Sequence, residues 1–270
     1  MSTDESHRMG PLLLAHDDEG SGPAVVLLHA AVADRGMWAS IVPTLAVTHR
    51  VIVPDLRGFG ETPLPGEAYA DADDVIHLLD ALGVEQAAVI GASFGGRVAL
   101  EVAARHPARV SSLVLMCSAY GGLEVTDPVV QAFGQREGEL LEAGDIDAAV
   151  ALNVDTWVGP EASDEDRAAV ARMQRRAFEV QLAAGALVPA PQQERIDVDP
   201  TAIVVPTVIL SGAHDVQHFR EIAALLASEI ASAEHLELAW AGHLPALERP
   251  EETAALLLAH LENGSVAPIV

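Results

Sequence analysis

Three residues far apart in the chain have the types and the order that acyl-transfer chemistry needs: Ser93, Asp215 and His243. A serine hydroxyl attacks poorly until a base takes its proton and a third group orients that base. Ser93 lies in Gly91-Ala92-Ser93-Phe94-Gly95-Gly96, a G-x-S-x-G sequence. This motif carries meaning only between a strand and a helix, where a sharp turn lifts the hydroxyl clear of a sheet. Residues 87–90 are an apolar run that reads as a short buried strand, and residues 97–105 read as a helix. Gly91 and Gly95, without a Cβ, permit the reversal and a close strand–helix approach. Asp215 follows the apolar run 204–210, and His243 follows 235–240 in a glycine-containing loop. Both then stand on the rim where Ser93 stands, in the chain order Ser…Asp…His expected of a nucleophile elbow.

Other assignments are weaker on the same grounds. Asp215 also suits the N-cap of the helix after it; the rival acid is Glu124, after the preceding strand. His214 precedes the acid, His218 falls inside a helical stretch, and His235 opens a strand. His260 is late in a helix and is expected to be solvated. A developing oxyanion needs two backbone N–H groups. Phe94, at the start of the helix after the nucleophile, supplies one, with the helix dipole in support. The other is assigned to Ala31, in the loop His29-Ala30-Ala31-Val32-Ala33-Asp34.

The elements that must hold these residues alternate. Strands are expected at 11–16, 24–29, 50–54, 87–90, 110–117, 204–210 and 235–240, with a turn at 17–23. Helices are expected at 37–45, 70–82 (stopped by Gly83), 97–105, 219–228 and 251–261. This alternation predicts an α/β fold, a mostly parallel central sheet with helices on both faces. Residues 120–199 break the rhythm: they offer no convincing strand, only helices near 129–143, 145–157 and 164–184. They read as a helical cap inserted into a core made of 1–119 and 200–270. Trp38 and Trp157 are the candidates to line a substrate pocket.

Composition narrows the function classes. The 270 residues hold 15 basic and 40 acidic side chains, a formal charge of −25, with no lysine. Nucleic-acid binding needs clustered Lys and Arg, so a polyanion partner is excluded as an expectation. Residues 1–10 are polar with no signal-peptide core, and no apolar run is long enough to span a bilayer. Cys117 is the only cysteine and reads as a buried core residue. A cytoplasmic protein without disulfides or membrane attachment follows as the expectation. Asp55 and Arg57 read as loop-pinning charges, and Glu248-Arg249-Pro250 as a helix start.

Taken together, His29-Ala30, Asp55-Leu56-Arg57-Gly58-Phe59-Gly60, Gly91 to Gly95, Gly212 to Asp215 and Gly242-His243 resemble the α/β-hydrolase fold superfamily in its small capped branch. The layout is similar to 3-oxoadipate enol-lactonases and carboxylesterases. The resemblance implies a hydrolase of a small-molecule ester or lactone working through an acyl-enzyme on Ser93, with no metal and no organic cofactor. Alternatives on the same fold are a carbon–carbon bond hydrolase with the same triad, a ligand receptor without turnover, and a lyase. A serine at position 93 argues against a dehalogenase or epoxide hydrolase, which need a carboxylate there. One departure stands out: Ala30 replaces the usual glycine, and an alanine at positive φ would be strained, which bears directly on the Ala31 donor.

Overall fold

The structure, a computed structural model, describes residues 12–263, so the polar stretch 1–10 lies outside the described residues. The chain begins with β1 (His16–Gly20), β2 (Ala24–Leu28), α1 (Val42–Leu45), β3 (Arg50–Pro54) and β4 (Ala68–Tyr69). It continues through α2 (Asp71–Ala81), β5 (Ala87–Ala92), α3 (Phe94–Arg105) and β6 (Val110–Met116). Three helices follow without a sheet strand between them: α4 (Pro128–Glu142), α5 (Ile146–Trp157) and α6 (Asp164–Gly185). After β7 (Gln192–Gln193) come β8 (Thr207–Gly212), α7 (Gln217–Glu229), β9 (Ala233–Leu238), α8 (Pro245–Glu248) and α9 (Pro250–Asn263).

Among the described residues seven strands form one sheet in the order β1-β3-β2-β5-β6-β8-β9. Only β1 runs antiparallel, against β3; the other pairs are parallel. The central strands are apolar throughout because both faces are covered. Val26, Leu28 and Val89 point into a core beneath α2, α3 and α7. Val25, Leu27 and Ile90 point the other way, into a core with Trp38, α1 and α9. The two-residue side-chain period of a strand thus feeds two separate apolar layers.

The three helices α4, α5 and α6 begin at capping side chains. Asp127 accepts from the Val129 N–H, Asp145 from the Ala148 N–H, and Ser163 forms a reciprocal capping box with Asp166. They share an apolar cluster of their own, built on Leu140, Ala149, Val150 and Phe178. Among the described residues no helix is long and apolar enough to cross a membrane.

Four expectations need correction. The first strand is not the apolar stretch before His16 but the charged stretch 16–20, which was expected to turn. It is an edge strand with Asp17, Asp18 and Glu19 facing out, and there the backbone pairing with β3 matters more than apolar content. The helix over 37–45 is a 3₁₀ turn at Arg35–Trp38 followed by the short α1; Pro43, lacking an N–H, starts the second piece instead of continuing the first. Between β6 and β8, where no strand was expected, Gln192 and Gln193 form a two-residue parallel bridge with Ala68 and Tyr69. His260 is not solvated but 1% exposed, and burial pushes its imidazole below the usual range.

This topology makes the place for a site. β2 pairs with both β3 and β5, so the chain leaves β2 toward one side of the sheet and later arrives on the other. The loops after β2 and β5 diverge, and a crevice opens at the carboxyl ends of the strands. The loop holding Ala30 and Ala31 leaves β2, and Ser93 leaves β5.

Candidate active site

Ser93 caps α3 with φ 51° and ψ −112°, a positive-φ conformation that residues with a Cβ rarely adopt. The strain is held by two backbone bonds: the Ser93 N–H donates to the Met116 carbonyl at 2.9 Å, and the Ala119 N–H donates to the Ser93 carbonyl at 2.9 Å. The glycines around it are demanded by contact. A Cβ on Gly91 would sit 2.2 Å from the Gly95 carbonyl oxygen, and one on Gly95 would sit 2.3 Å from that of Leu28. The helix thereby seats directly on the sheet, with its N-terminus at the crevice.

Ser93, Asp215 and His243 come together. The Ser93 hydroxyl donates to His243 Nε2 at 2.8 Å. His243 Nδ1–H donates to the Asp215 carboxylate, at 2.9 Å to Oδ2 and 3.0 Å to Oδ1. With its Nδ1 proton held by Asp215, the imidazole presents Nε2 as an acceptor. Asp215 is also held by the Val216 N–H, at 2.7 Å. The other histidines lie outside this chain of bonds. His218 is buried at the start of α7, His235 shares a hydrogen bond with the Ser211 hydroxyl, and His214 is exposed. The rival acid Glu124 is exposed.

The N–H groups of Phe94 and Ala31 have no acceptor among the described residues, and both residues line the cavity over Ser93. Ala30 is not at positive φ, so alanine there is unstrained. His29 explains the loop. It is fully buried, its Nδ1–H donates to the Ala30 carbonyl at 2.9 Å, and its Nε2 accepts the Leu56 N–H at 3.0 Å. Burial lowers its pKa, which keeps the ring in the neutral form that this donor–acceptor pair needs. Asp55 accepts the N–H groups of Arg35 and Glu61, each at 2.8 Å, and Arg57 engages Asp74 and Glu67. Both work as loop pins.

The two tryptophans part company. Trp157 lines the cavity with its ring centroid 5.0 Å from that of His243. Trp38 is 0% exposed, packed in the core with Ile41 and Leu45, and does not touch the cavity. It is a core residue, and its assignment to substrate contact is corrected. An aromatic on an amphipathic stretch gives no sign of which layer it will enter.

Two residues near the chemistry had no sequence signal. Phe219 stands with its ring 4.3 Å from that of His243. Glu248, read above as only a helix start, is buried and accepts the Gly242 N–H at 2.9 and 3.0 Å on its two oxygens, pinning the loop that carries His243. A helix-start Glu five residues after the Gly242-His243 pair is the only trace it leaves.

The cavity has a volume of about 310 Å³ and is walled partly by α4, α5 and α6 through Phe133, Glu137, Asn153, Trp157, Gln174 and Phe178. Among the described residues one cluster has metal-ligand types: Cys117, Asp215 and His243, whose ligand atoms lie within 4.8 Å of one another. It is a poor metal centre. The carboxylate and imidazole are already spent on each other, and burial pushes the Cys117 thiol up, away from the thiolate a metal takes.

The chain matches the α/β-hydrolase fold family over residues 23–194. It is 39% identical over 124 residues to a 2-hydroxymuconate semialdehyde hydrolase of Pseudomonas sp. (strain CF600), covering 43% of this chain and 44% of that relative, under half its length. It is 30% identical over 255 residues to a protein of the same name from Pseudomonas putida, covering 89% and 87%. A thermophilic esterase from Thermogutta terrifontis, solved with malate bound, superposes with a TM-score of 0.76 at 28% identity over 93% of each chain.

Proposed function

The chain belongs to the α/β-hydrolase fold family, and from that premise we propose that it is a serine hydrolase of a small or medium carboxylic ester or lactone. The observation that carries the reading is the unbroken relay from Asp215 through His243 to Ser93, with bonds of 2.9 and 2.8 Å, opening onto the cavity. Ser93 Oγ attacks the substrate carbonyl as its proton passes to His243 Nε2. Asp215 holds the imidazole and stabilises the imidazolium. The N–H groups of Phe94 and Ala31 receive the oxyanion, in a site that Trp157 and Phe219 keep low in dielectric. The imidazolium then returns the proton to the leaving alkoxide. A water deprotonated by His243 attacks the acyl-enzyme, releasing the acid and restoring the Ser93 hydroxyl. The chemistry needs no metal and no organic cofactor. Residues 120–199 act as a cap over a core of 1–119 and 200–270, closing the cavity above the nucleophile. The substrate is a small molecule; nucleic acid and membrane are not partners in this reading.

A second reading, carbon–carbon bond hydrolysis by the same three residues, is supported by the similarity to the Pseudomonas putida hydrolase over most of both chains. The experiment compares wild type with Ser93→Ala on chromogenic esters, lactones and dienoic diketones, measuring turnover and dissociation constant together. Turnover should fall by at least about 10³-fold with binding retained. Undiminished hydrolysis by the purified variant would overturn the serine mechanism. Faster wild-type turnover of the diketones than of any ester would move the reading to carbon–carbon cleavage.

A further inference from the structure

The wall that α4, α5 and α6 present to the cavity sets Phe133, Trp157 and Phe178 beside a polar strip whose one formal charge is negative. Glu137 on α4, Asn153 on α5, and Gln174 and Gln181 on α6 line it, and neither Lys nor Arg does. The amides of Asn153 and Gln181 donate within the protein. The Asn153 amide nitrogen donates to Glu137 Oε1 at 2.6 Å and to the Ala149 carbonyl at 3.0 Å. The Gln181 amide nitrogen donates to the Gly58 carbonyl at 3.2 Å. The acceptors are left over: the Glu137 carboxylate has a second oxygen, and Asn153 and Gln181 keep their carbonyls. Gln174 is 4% exposed, and its Oε1 is buried without a partner among the described residues. An unpaired buried acceptor is a cost that a ligand donor removes.

Resting on the serine-hydrolase reading, we propose that this wall is a specificity subsite for a substrate whose far end carries a non-anionic hydrogen-bond donor, an ammonium or a hydroxyl. Glu137 supplies the charge, and Asn153 and Gln174 supply neutral acceptors. A carboxylate there meets the Glu137 charge with no lining cation to receive it, so acidic substrates are turned away. The two Pseudomonas hydrolases to which the chain is similar are named for 2-hydroxymuconate semialdehyde, an acidic substrate. The cavity of this chain is built for the opposite sign.

The test separates this inference from the reading beneath it. Esters of matched acyl length ending in ammonium, hydroxyl, methyl or carboxylate are titrated into Ser93→Ala, where binding is read without turnover. The ammonium and hydroxyl esters should bind about tenfold tighter than the methyl ester, and the carboxylate ester weaker than all three. Adding Glu137→Gln retains the carbonyl to which Asn153 donates but removes the charge. It should shrink the ammonium-to-carboxylate ratio about tenfold. A carboxylate ester that binds Ser93→Ala as tightly as the ammonium ester overturns the inference, as does a ratio that Glu137→Gln leaves unmoved. Wild-type hydrolysis of the same esters reports on the serine mechanism alone, whichever way the binding series falls.

Discussion

Ser93 and Cys117 are the non-glycine residues at positive φ among the described residues, at 51° and 45°, and they brace one another's loops. Conformations of this kind cost about 1–3 kcal/mol and persist where the surroundings over-determine them. Here the end of β6 does so. Met116 receives the Ser93 N–H, Cys117 donates its own N–H to Leu210 at 2.8 Å, and its thiol lies 3.6 Å from the Gly242 carbonyl. The loops of Ser93, Asp215 and His243 are thus locked through β6. Glu248 completes the lock from the far side of Gly242. Glu248→Ala leaves a buried N–H without its acceptor, at about 1–3 kcal/mol, and lets His243 drift. Turnover should drop by about 10²-fold, chiefly in kcat, while Glu248→Gln, which keeps an oxygen toward Gly242, recovers most of it. Equal damage from both variants would mean that the charge, not the bond to Gly242, matters. Ser93, Asp215 and His243 were legible because their types, order and strand-end positions are local properties of the sequence. Glu248 and Phe219 were not, since each acts on a residue that only folding brings near. Trp38 misled for the same reason: its depth depends on which face of the sheet the Arg35–Trp38 turn covers.

Elements were legible in proportion to how far tertiary contact agrees with local pattern. β2, β3, β5 and β6 stand out as apolar runs because both faces are buried. The edge strands lose that signal: β9 exposes Glu234, His235 and Glu237, and β1 is almost wholly exposed. The two-residue bridge of β4 with β7 is shorter than any periodicity. Yet that bridge frames a buried charge cluster. Asp71 opens α2 at 1% exposure, Gln193 of β7 donates to its Oδ2 at 2.6 Å, and Arg97 of α3 lies 3.5 Å away and also binds Glu101 at 2.9 Å. Burial pushes the Asp71 carboxyl up to about 6, against the pull of Arg97. The folded state therefore holds the Asp71 proton over a range where the unfolded chain releases it. The sign follows: this group's contribution to stability is lost as pH rises from about 4 to about 6 and stays lost above that. Asp71→Asn, which keeps an acceptor for Gln193, should flatten that part of the profile, with a gain relative to wild type of about 2–3 kcal/mol near neutrality. Urea unfolding across this range is the measurement; parallel profiles for the two proteins would refute the placement of the cost at Asp71.

At the scale of the whole molecule, charge is the dominant peculiarity. Acidic side chains outnumber basic ones 40 to 15, and no lysine softens the ratio. Arginines are drawn into ion pairs such as Arg50 with Asp18 and Arg220 with Glu237. Exposed pairs of this kind are worth about 0–1 kcal/mol each. The excess of 25 negative charges has no partner of opposite sign to meet, so the folded surface repels itself. Two effects of added salt then compete. Screening weakens the surface pairs, and screening relieves the repulsion; with acids in excess, like-charge pairs outnumber opposite-charge ones. The Debye length falls from about 10 Å at 0.1 M to about 3 Å at 1 M ionic strength, which removes long-range repulsion before it touches pairs in contact. The melting temperature should therefore rise steadily with sodium chloride over that interval, and by the same amount with potassium chloride, since screening depends on ionic strength rather than on the cation. Chloride salts are chosen because sulfate would strengthen apolar burial on its own. A melting temperature that stays flat or falls would show that the arginine pairs, few as they are, outweigh the unpaired charge.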